Sequence, residues 1–254
     1  MDTREHLPIS VNSLKDEARL KLRRWILTGR IQPGERIVET EVARMFGTSQ
    51  GPVREALRGL EEDGLVCSIK NKGAYATEII PREIYHTFRL RTQIECYGLE
   101  VTIPHIADVQ LDSLIGIVEQ MKTAIDDPEG YNRQVELDME FHGRLLSWAG
   151  VEVYQRVWNT LELSTQRFLN IVHPSFFSRN RRRVIHQHVE LVRIFQERDA
   201  ARAQAAMREH IMLIWDTLGN ELLQHDRLDL KDVRDVGSDL VPGGSDAPDD
   251  VWRP

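Results

Sequence analysis

Hydrophobic and polar positions divide this sequence into two parts with different periodicities. Up to about residue 80, short helical patterns are followed by two β-like runs, whereas beyond Pro81 the apolar residues recur at helical spacing. Six amphipathic helices are predicted in the second part, at 81–102, 108–125, 131–148, 151–172, 180–198 and 199–224. Because their connections are short, these helices favour a compact all-α bundle. The predicted fold is therefore mainly α, with a mixed N-terminal part before the bundle.

The stretch 47–66 predicts a helix that presents two different faces. Ser49 suits the N-cap, Pro52 is tolerated within a first turn, and Gly64 can end the helix. Spacings of three and four create one apolar stripe, formed by Val53, Ala56, Leu57 and Leu60. Another face carries polar side chains in steps of four, namely Gln50, Arg54 and Arg58. The apolar face must pack on other elements, which leaves the polar face available to contact a partner.

The segments around this helix complete a winged helix-turn-helix pattern. A short helix is predicted at 41–46. A longer helix precedes both: it starts at Ser10 or Ser13, has one apolar face from Leu14 to Ile26 and is ended by Gly29. Downstream, β-like runs at 65–69 and 74–79 flank a basic tetrapeptide and predict a hairpin, or wing. An isolated helix-turn-helix pattern is weakly specific, but here helix, turn, helix and hairpin follow in order within about 40 residues.

A helix-turn-helix places its second helix in the DNA major groove, and basic side chains around it neutralise phosphates. The predicted partner of this part is therefore double-stranded DNA. We expect contacts from the two helices and the wing tip, namely Arg44, Ser49, Gln50, Arg54, Arg58, Lys70, Lys72 and Gly73.

These motifs resemble a known family. The run PGERIVETEVARMFG, followed by S-x-x-PVREALRxLExxGLV and a glycine in the wing, resembles the N-terminal domain of GntR-family bacterial transcription regulators over about residues 10–80. The family commonly has Ser-Arg-Thr-Pro where this chain has Ser49-Gln50-Gly51-Pro52, so a glutamine replaces an arginine that family members use on guanine. Because glutamine is suited to adenine, the resemblance implies an operator that differs from the family's usual one.

Composition and charge fit a DNA-binding protein with an acidic second part. The 254 residues suit two domains, and the net charge is −7 at pH 7. Residues 1–80 hold 13 Lys/Arg and 12 Asp/Glu, against 20 and 28 in the remainder, so the acidity lies outside the proposed DNA-binding part. No stretch approaches the roughly eighteen apolar residues of a membrane span, and the N-terminus lacks a signal-peptide core. Because Cys67 and Cys96 are the only cysteines, the predicted setting is a reducing cytoplasm without a disulfide framework.

Four ionisable side chains fall on the apolar stripes of three predicted helices. Asp138 and His142 lie one turn apart on the inward stripe of the third helix of the bundle. His188 and His210 lie on the inward stripes of the last two helices, whereas His186, on a polar face, points to solvent. One inward histidine is usually a hydrogen-bonded core residue, but three with a carboxylate are costly to bury unless they pair or coordinate a metal. This set suits a divalent transition metal such as zinc, nickel, manganese or iron.

The same residues extend the resemblance. Asp-x-x-Phe-His at 138–142, with His188 and His210 in the last two helices, looks like the metal-binding form of the FCD domain, the C-terminal ligand-binding domain of FadR-like GntR regulators. The run Arg91-Thr-Gln-Ile-Glu95 resembles the Arg-x-x-Leu-Glu run of that domain's first helix. The resemblance implies a bound metal, zinc or nickel ahead of manganese or iron, with positions open to water or a carboxylate. The implied effector is a small organic or sugar acid.

Two arginine-containing segments have alternative interpretations. Arg91 and Glu95, four residues apart, are predicted to form a helix-stabilising pair, and Arg91 as a clamp for an effector carboxylate is the alternative. The run 179–183 holds four arginines. A solvated loop at a helix start is favoured over contacts with DNA, an effector carboxylate or an acidic partner surface.

The leading hypothesis is a homodimeric DNA-binding transcriptional regulator rather than an enzyme. Two winged-helix domains read the halves of a near-palindromic operator, and an effector at the metal changes operator affinity. The resemblance implies repression as the commoner outcome. The predicted domains are 1–80 for DNA binding, 81–225 for effector binding and dimerisation, and 226–254 as a disordered acidic tail. The alternatives are a regulator that senses the metal itself and a metal-dependent hydrolase, for which no added general base lies on the same stripes.

Overall fold

A computed structural model describes residues 14–125, 127, 130–172 and 174–226, with side chains described up to residue 213 apart from 172 and 174–180. The tail predicted at 226–254 lies outside the described residues except for Asp226, which ends the last helix. The described part of the chain is mainly helical. None of its helices combines the length and the apolar character that crossing a membrane requires.

The N-terminal part forms a winged helix-turn-helix with a small sheet. Its elements are α1 (Leu14–Leu27), β1 (Arg36–Ile37), α2 (Glu39–Phe46), α3 (Gln50–Glu62), β2 (Val66–Ile69) and β3 (Gly73–Ala76). The sheet has three strands, and β3 lies between β1 and β2, antiparallel to both. The sequence pattern does not predict β1, because two residues are too few to establish an alternation of apolar and polar positions.

The core of the N-terminal part is the apolar stripe of α3 packed on α1. Val53 and Leu60 of α3 and Leu22 of α1 are fully buried. Burial of each such side chain contributes about 1.5–3 kcal/mol. Arg19 of α1 adds a polar clamp, since its Nη2 lies 2.9 and 3.0 Å from the two carboxylate oxygens of Asp63. The predicted stripe is confirmed, and its burial turns the polar face of α3 outward.

The turn between α2 and α3 depends on a glycine and orients the second helix. Gly47 has a φ of +66°, in the left-handed region that favours glycine. The amide of Gly47 donates to the carbonyl of Arg44 and that of Thr48 to the carbonyl of Ala43, at 3.3 and 2.9 Å, which closes the end of α2. Ser49 then occupies the N-cap position of α3, although its hydroxyl makes no capping hydrogen bond.

Six helices make up the described residues of the second part. They are α4 (Pro81–Thr102), α5 (Asp108–Ile125), α6 (Gly130–Trp148), α7 (Glu152–Val172), α8 (Pro174–Phe195) and α9 (Ala200–Asp226), with a 3₁₀ turn at Ile103–His105. The bounds of α4 and α5 agree with the prediction residue for residue. Aromatic pairs tie the helices together, since Phe88 of α4 meets Phe168 of α7 and Phe141 of α6 stacks on Phe195 of α8.

Helix α8 departs from the predicted bounds. It begins at Pro174 rather than at residue 180, because proline is well tolerated at the first position of a helix. The arginine run 179–183 therefore lies within a helix, and the predicted loop is wrong, although Arg182 and Arg183 are exposed as predicted. Arg181 is half-buried and donates to Gln134 Oε1 at 2.7 Å and to the carbonyl oxygens of the last two residues of α5. It thereby caps carbonyls that α5 leaves unpaired at its C-terminal end.

Helix α7 joins the two parts. Its Leu163 is buried within the apolar core of the winged helix. Arg167, also buried, donates to Thr77 Oγ1 at 2.5 Å and to the Thr77 carbonyl oxygen. Burial lowers the pKa of Arg167, although the charge of Glu78 opposes the shift. Strand β3 ends at Ala76, three residues before the predicted end, and Thr77, the next residue, accepts the hydrogen bonds from Arg167.

We expect Arg167→Met to lower the free energy of unfolding by about 1–3 kcal/mol, because the change removes charged hydrogen bonds from a buried junction. Chemical denaturation followed by circular dichroism measures the loss. Arg156→Met is the matched control on the same helix, since the Arg156 side chain forms an exposed pair with Glu152, and surface changes stay within about 0.5 kcal/mol. Equal destabilisation by both changes would show that the Thr77 contact contributes nothing specific.

Candidate metal centre and nucleic-acid interface

The polar face of α3 lies at the surface of the winged part. The predicted DNA-contact residues are all exposed, namely Arg44, Ser49, Gln50, Arg54, Arg58, Lys70, Lys72 and Gly73. Arg54 is held by Glu39 of α2, with Nη2 and Nε 2.8 and 3.1 Å from Oε2. This hydrogen bond, with the charge of Glu39, raises the pKa of Arg54. Arg58 pairs with Glu55 at 2.9 Å on the same helix. Both guanidinium groups are charged donors on an accessible surface.

The wing carries the predicted basic tip. Lys70 and Lys72 are exposed on either side of Asn71, whose φ is +64°. Gly73 follows with a φ of +102°, a conformation that a side chain would strain. The amide of Lys72 donates to the carbonyl of Ile69 at 2.9 Å and closes the turn. Two ammonium groups therefore extend from a hairpin beside the helix-turn-helix, as a contact to DNA phosphates requires.

Three helices of the bundle bring the four predicted metal ligands together. Asp138 and His142 lie on α6, His188 on α8 and His210 on α9, and we call this set the His/Asp cluster. One ligand atom from each residue lies within 4.8 Å of all the others. All four side chains are buried, whereas His186 is exposed, as the helical phase of the sequence predicts.

Hydrogen bonds fix the orientation of two of the imidazoles. His142 Nδ1 lies 2.5 Å from Glu95 Oε2, and His188 Nδ1 lies 2.8 Å from the carbonyl oxygen of Val184. Because an ionised carboxylate and a carbonyl only accept, each Nδ1 carries the proton and each Nε2 keeps its lone pair. A metal-binding histidine usually has this arrangement, with one nitrogen for the metal and the other on an acceptor.

The cluster leaves buried polar atoms unpaired within the described residues. Both carboxylate oxygens of Asp138, Nε2 of His188 and Nδ1 of His210 have no hydrogen-bond partner. Nε2 of His188 lies 3.1 Å from Asp138 Oδ1, but the contact lacks the alignment of a hydrogen bond. Nε2 of His210 lies 3.3 Å from Nε2 of His142, so ring nitrogens converge on one space. Unpaired buried polar atoms of this kind are costly unless an ion satisfies them, and the residues therefore fit a metal.

The protonation states also suit a metal. Burial lowers the pKa of His142, and the nearby charge of Arg91 adds to the shift. Burial and the two neighbouring histidines hold the pKa of His210 well below its usual value. Burial alone raises the pKa of Asp138, but the contacts with His188, His142 and Arg91 outweigh it and lower the net pKa. Neutral imidazoles beside an ionised carboxylate are the forms that bind a metal.

Arg91 and Glu95 lie next to the cluster rather than on the surface. Arg91 is fully buried, and its Nε donates to Glu95 Oε1 at 2.6 Å. Nη2 of Arg91 lies 3.9 Å from Asp138 Oδ2, and neither Nη1 nor Nη2 has a hydrogen-bond partner. The guanidinium also lies 5.4 Å from the ring centroid of Trp158. The predicted pair of Arg91 and Glu95 does form, but helix stabilisation is an incomplete description of it, because the pair is buried and oriented toward the cluster.

The two parts define a winged-helix DNA-binding regulator with a helical C-terminal domain. Residues 14–75 match the family described as bacterial regulatory proteins, gntR family, and residues 86–212 match the FCD domain. The chain therefore belongs to the GntR family of transcriptional regulators and carries an FCD domain. FCD is a known metal-binding domain, in agreement with the His/Asp cluster. Because the family and its named members are transcriptional regulators and not enzymes, the hydrolase alternative is set aside.

Individual relatives and solved structures agree with this assignment. The uncharacterized HTH-type transcriptional regulator YdhC of Bacillus subtilis is 30% identical over 129 residues, which is 51% of this chain and 58% of that protein. The HTH-type transcriptional repressor RspR of Escherichia coli is 28% identical over 202 residues, which is 78% of this chain and 85% of that protein. The solved structure of E. coli McbR/YncC, 18% identical, matches with a TM-score of 0.71 over 83% of this chain and 99% of that one. This structural likeness shows a shared fold.

Proposed function

We propose that this protein is a homodimeric transcriptional repressor whose operator affinity is set by a small carboxylate effector bound at a divalent metal. Its DNA-binding domain is assigned to residues 1–80 and its effector-binding and dimerisation domain to 81–225. The proposal rests on two features that lie side by side: the atoms of the His/Asp cluster that could bind a metal and lack hydrogen-bond partners, and the guanidinium nitrogens of Arg91 that also lack them. Repression is favoured because RspR, which aligns with most of this chain, is named a repressor.

The donor set supports a first-row divalent metal. Three imidazoles and one carboxylate are a ligand set that suits zinc or nickel, which we place ahead of manganese or iron. Manganese prefers more oxygen ligands, whereas iron also accepts imidazole. The His/Asp cluster would hold the metal, while Glu95 and the Val184 carbonyl orient His142 and His188. When bound, the metal supplies a positive charge and coordination positions that attract a carboxylate. The buried surroundings exclude water and strengthen that attraction.

Arg91 supports a carboxylate as the effector group. Its two terminal nitrogens are buried without hydrogen-bond partners, while Nε is occupied by Glu95. A guanidinium edge with two free donors matches the two oxygens of a carboxylate. Leaving those donors unpaired is costly, so a ligand that satisfies them gains affinity. We therefore assign Arg91 to the effector, in preference to a purely structural pair with Glu95.

Helix α7 supports a physical link between effector and DNA. Near its start, Trp158 contacts Arg91 and lies 6.3 Å from the ring of His142. Farther along the same helix, Leu163 enters the winged-helix core and Arg167 donates to Thr77. An effector that binds more tightly to one placement of α7 shifts the winged domains toward the arrangement that goes with that placement. The change in operator affinity cannot exceed the effector's own preference between the two arrangements.

Operator selection followed by effector titration tests the proposal. Purified protein is incubated with fragmented host DNA at about 0.15 M salt, where non-specific binding is weak, and the retained fragments are sequenced. We expect fragments that share a short inverted repeat, and small organic or sugar acids that weaken binding only when metal is present. Binding that follows free zinc or nickel, with no response to acids, would favour the metal-sensing regulator instead. No enrichment with metal present, with metal removed, or with acids added would contradict the proposal.

A further inference from the structure

Helix α4 presents an apolar stripe to solvent, on the side away from the face that it buries in the bundle. Leu90, Tyr97 and Val101 are 58%, 52% and 42% exposed. Ile94, between them, is partly buried. Their spacing of four, three and four residues aligns them along one side of the helix. We call these four residues the α4 stripe.

The rest of α4 explains why the stripe is unusual. Phe88, Arg91, Glu95 and Leu99 are buried against the bundle and the His/Asp cluster. These buried residues fix the helix in place. The α4 stripe contributes less to the packing of the bundle, because three of its four residues are exposed. Contiguous large apolar side chains on a fixed helix mark an interaction surface more often than isolated ones. A partner that is apolar and elongated would fit it.

We propose that the α4 stripe is the dimer interface and that its occupant is α4 of a second copy, in antiparallel orientation. The inference rests on the homodimer of the proposed function and identifies its contact surface. The spacing of four, three and four is the same from either end. A two-fold axis between Ile94 and Tyr97 therefore brings Leu90 opposite Val101 of the second copy and Ile94 opposite Tyr97. Every apolar side chain then meets an apolar one, as a two-fold interface requires.

Charge complementarity supports the same register. Arg89 and Glu100, eleven residues apart, lie within about 20° of each other around the helix at 3.6 residues per turn, on one flank of the stripe. Both are exposed. In the antiparallel pair this flank faces its own equivalent, so Arg89 of each copy approaches Glu100 of the other. Arg89 Nη1 now donates to the hydroxyl of Tyr85 at 3.1 Å, which leaves other nitrogens of the guanidinium to meet a carboxylate.

The proposed pairing also suits operator binding. Each winged part is attached at Pro81, the N-terminal end of α4. In the antiparallel pair the two attachment points lie at opposite ends, on the order of 40 Å apart at 1.5 Å per residue. Half-sites one helical turn apart are separated by about 34–36 Å. The two winged parts would therefore leave the interface at a separation that a near-palindromic operator can accept.

Sedimentation velocity of the full chain tests the stripe. We expect the unchanged protein to sediment as a dimer at micromolar concentration and Tyr97→Glu to sediment as a monomer. The new carboxylate would lie beside the two-fold axis, within the apolar contact between the two copies. Val109→Glu is the matched control, since Val109 is a 72% exposed apolar residue outside the stripe. It should remain dimeric. A dimeric Tyr97→Glu, or a monomeric unchanged protein, would overturn the proposal.

Charge reversal tests the register without touching the apolar contact. Arg89→Glu and Glu100→Arg should each raise the dimer dissociation constant by roughly tenfold, because each places like charges across both symmetry-related pairs. The double variant restores opposite charges and should return to within about threefold of the unchanged protein. Two weakened single variants without recovery in the double variant would exclude the antiparallel register.

Metal content and binding to a half-site are measured on the same samples. A variant that is monomeric but retains metal and half-site binding locates the effect in the interface alone. If the unchanged protein lacks metal or ignores DNA but remains a dimer that responds to these substitutions, the proposed function fails while the interface stands.

Discussion

His188→Ala is expected to lower the affinity of the protein for zinc or nickel by at least ~100-fold. Replacing a residue that only orients a metal ligand already lowers metal affinity by about 10–100-fold. Loss of a ligand itself should lower the affinity by no less. The change also removes the imidazole 3.1 Å from Asp138 Oδ1 and leaves that carboxylate with less compensation for its burial. Metal content after dialysis against a chelator, followed by titration with a coloured metal indicator, measures the effect.

His186→Ala is the matched control for this substitution. It removes the same side chain two residues earlier on α8, from an exposed position. Its metal content should equal that of the unchanged protein, and thermal unfolding shows whether both variants fold. Equal metal loss in the two variants would mean that the metal contacts another face of α8. Full metal content in a folded His188→Ala would exclude His188 from the ligand set.

The positions of the cluster residues within their helices were predictable, because the phase of an amphipathic helix decides which side chains face inward. Asp138 and His142 are also four residues apart on one helix, which fixes their separation. The convergence of His210 on His142 was not predictable from periodicity. It depends on how α9 packs against α6, and an apolar stripe specifies the buried face of a helix but not its height or rotation against a neighbour.

Glu95 was missed as a neighbour of the cluster. Its spacing from Arg91 indicated a pair along one helix, which is most often a surface feature. In the fold both residues are buried, and Glu95 reaches His142 across 47 positions of sequence. A signal was present in the sequence, since the Arg-x-x-Leu-Glu resemblance covered both residues. Burial of a charged pair is a tertiary property, and only the surrounding helices reveal that it supports a ligand.

Helix bounds show the same division between local and tertiary information. The bounds of α4 and α5 were predicted correctly because local signals mark them. Pro81 starts α4, a short turn separates the two helices, and the acidic Asp108 starts α5. The start of α8 was missed because a proline can either interrupt a helix or begin one, and the sequence pattern does not distinguish the two roles at Pro174. Strand β1 was missed for a different reason, since its two residues are ordered by pairing with β3.

Arg54→Ala is expected to weaken operator binding by roughly 30-fold to 10⁴-fold. A side chain that contacts a base contributes about 1–3 kcal/mol, and a dimer loses the contact in both half-sites. Arg54 suits this role because Glu39 holds its guanidinium from α2 and reduces its freedom before DNA binds. Fluorescence anisotropy with the selected operator measures the loss. Arg82→Ala, at an exposed arginine of α4, is the control and should bind as the unchanged protein does.

The salt dependence of the same variant separates two roles for Arg54. If the guanidinium contacts a base, Arg54→Ala should weaken the operator much more than unrelated DNA and reduce the preference for one sequence. If it contacts a phosphate, both DNAs should weaken similarly, and the slope of log affinity against log salt should fall by about one for each contact. We expect the first result, because Arg54 lies one turn from Gln50 on the outward face of α3. Operator affinity unchanged at every salt concentration would remove Arg54 from the DNA interface.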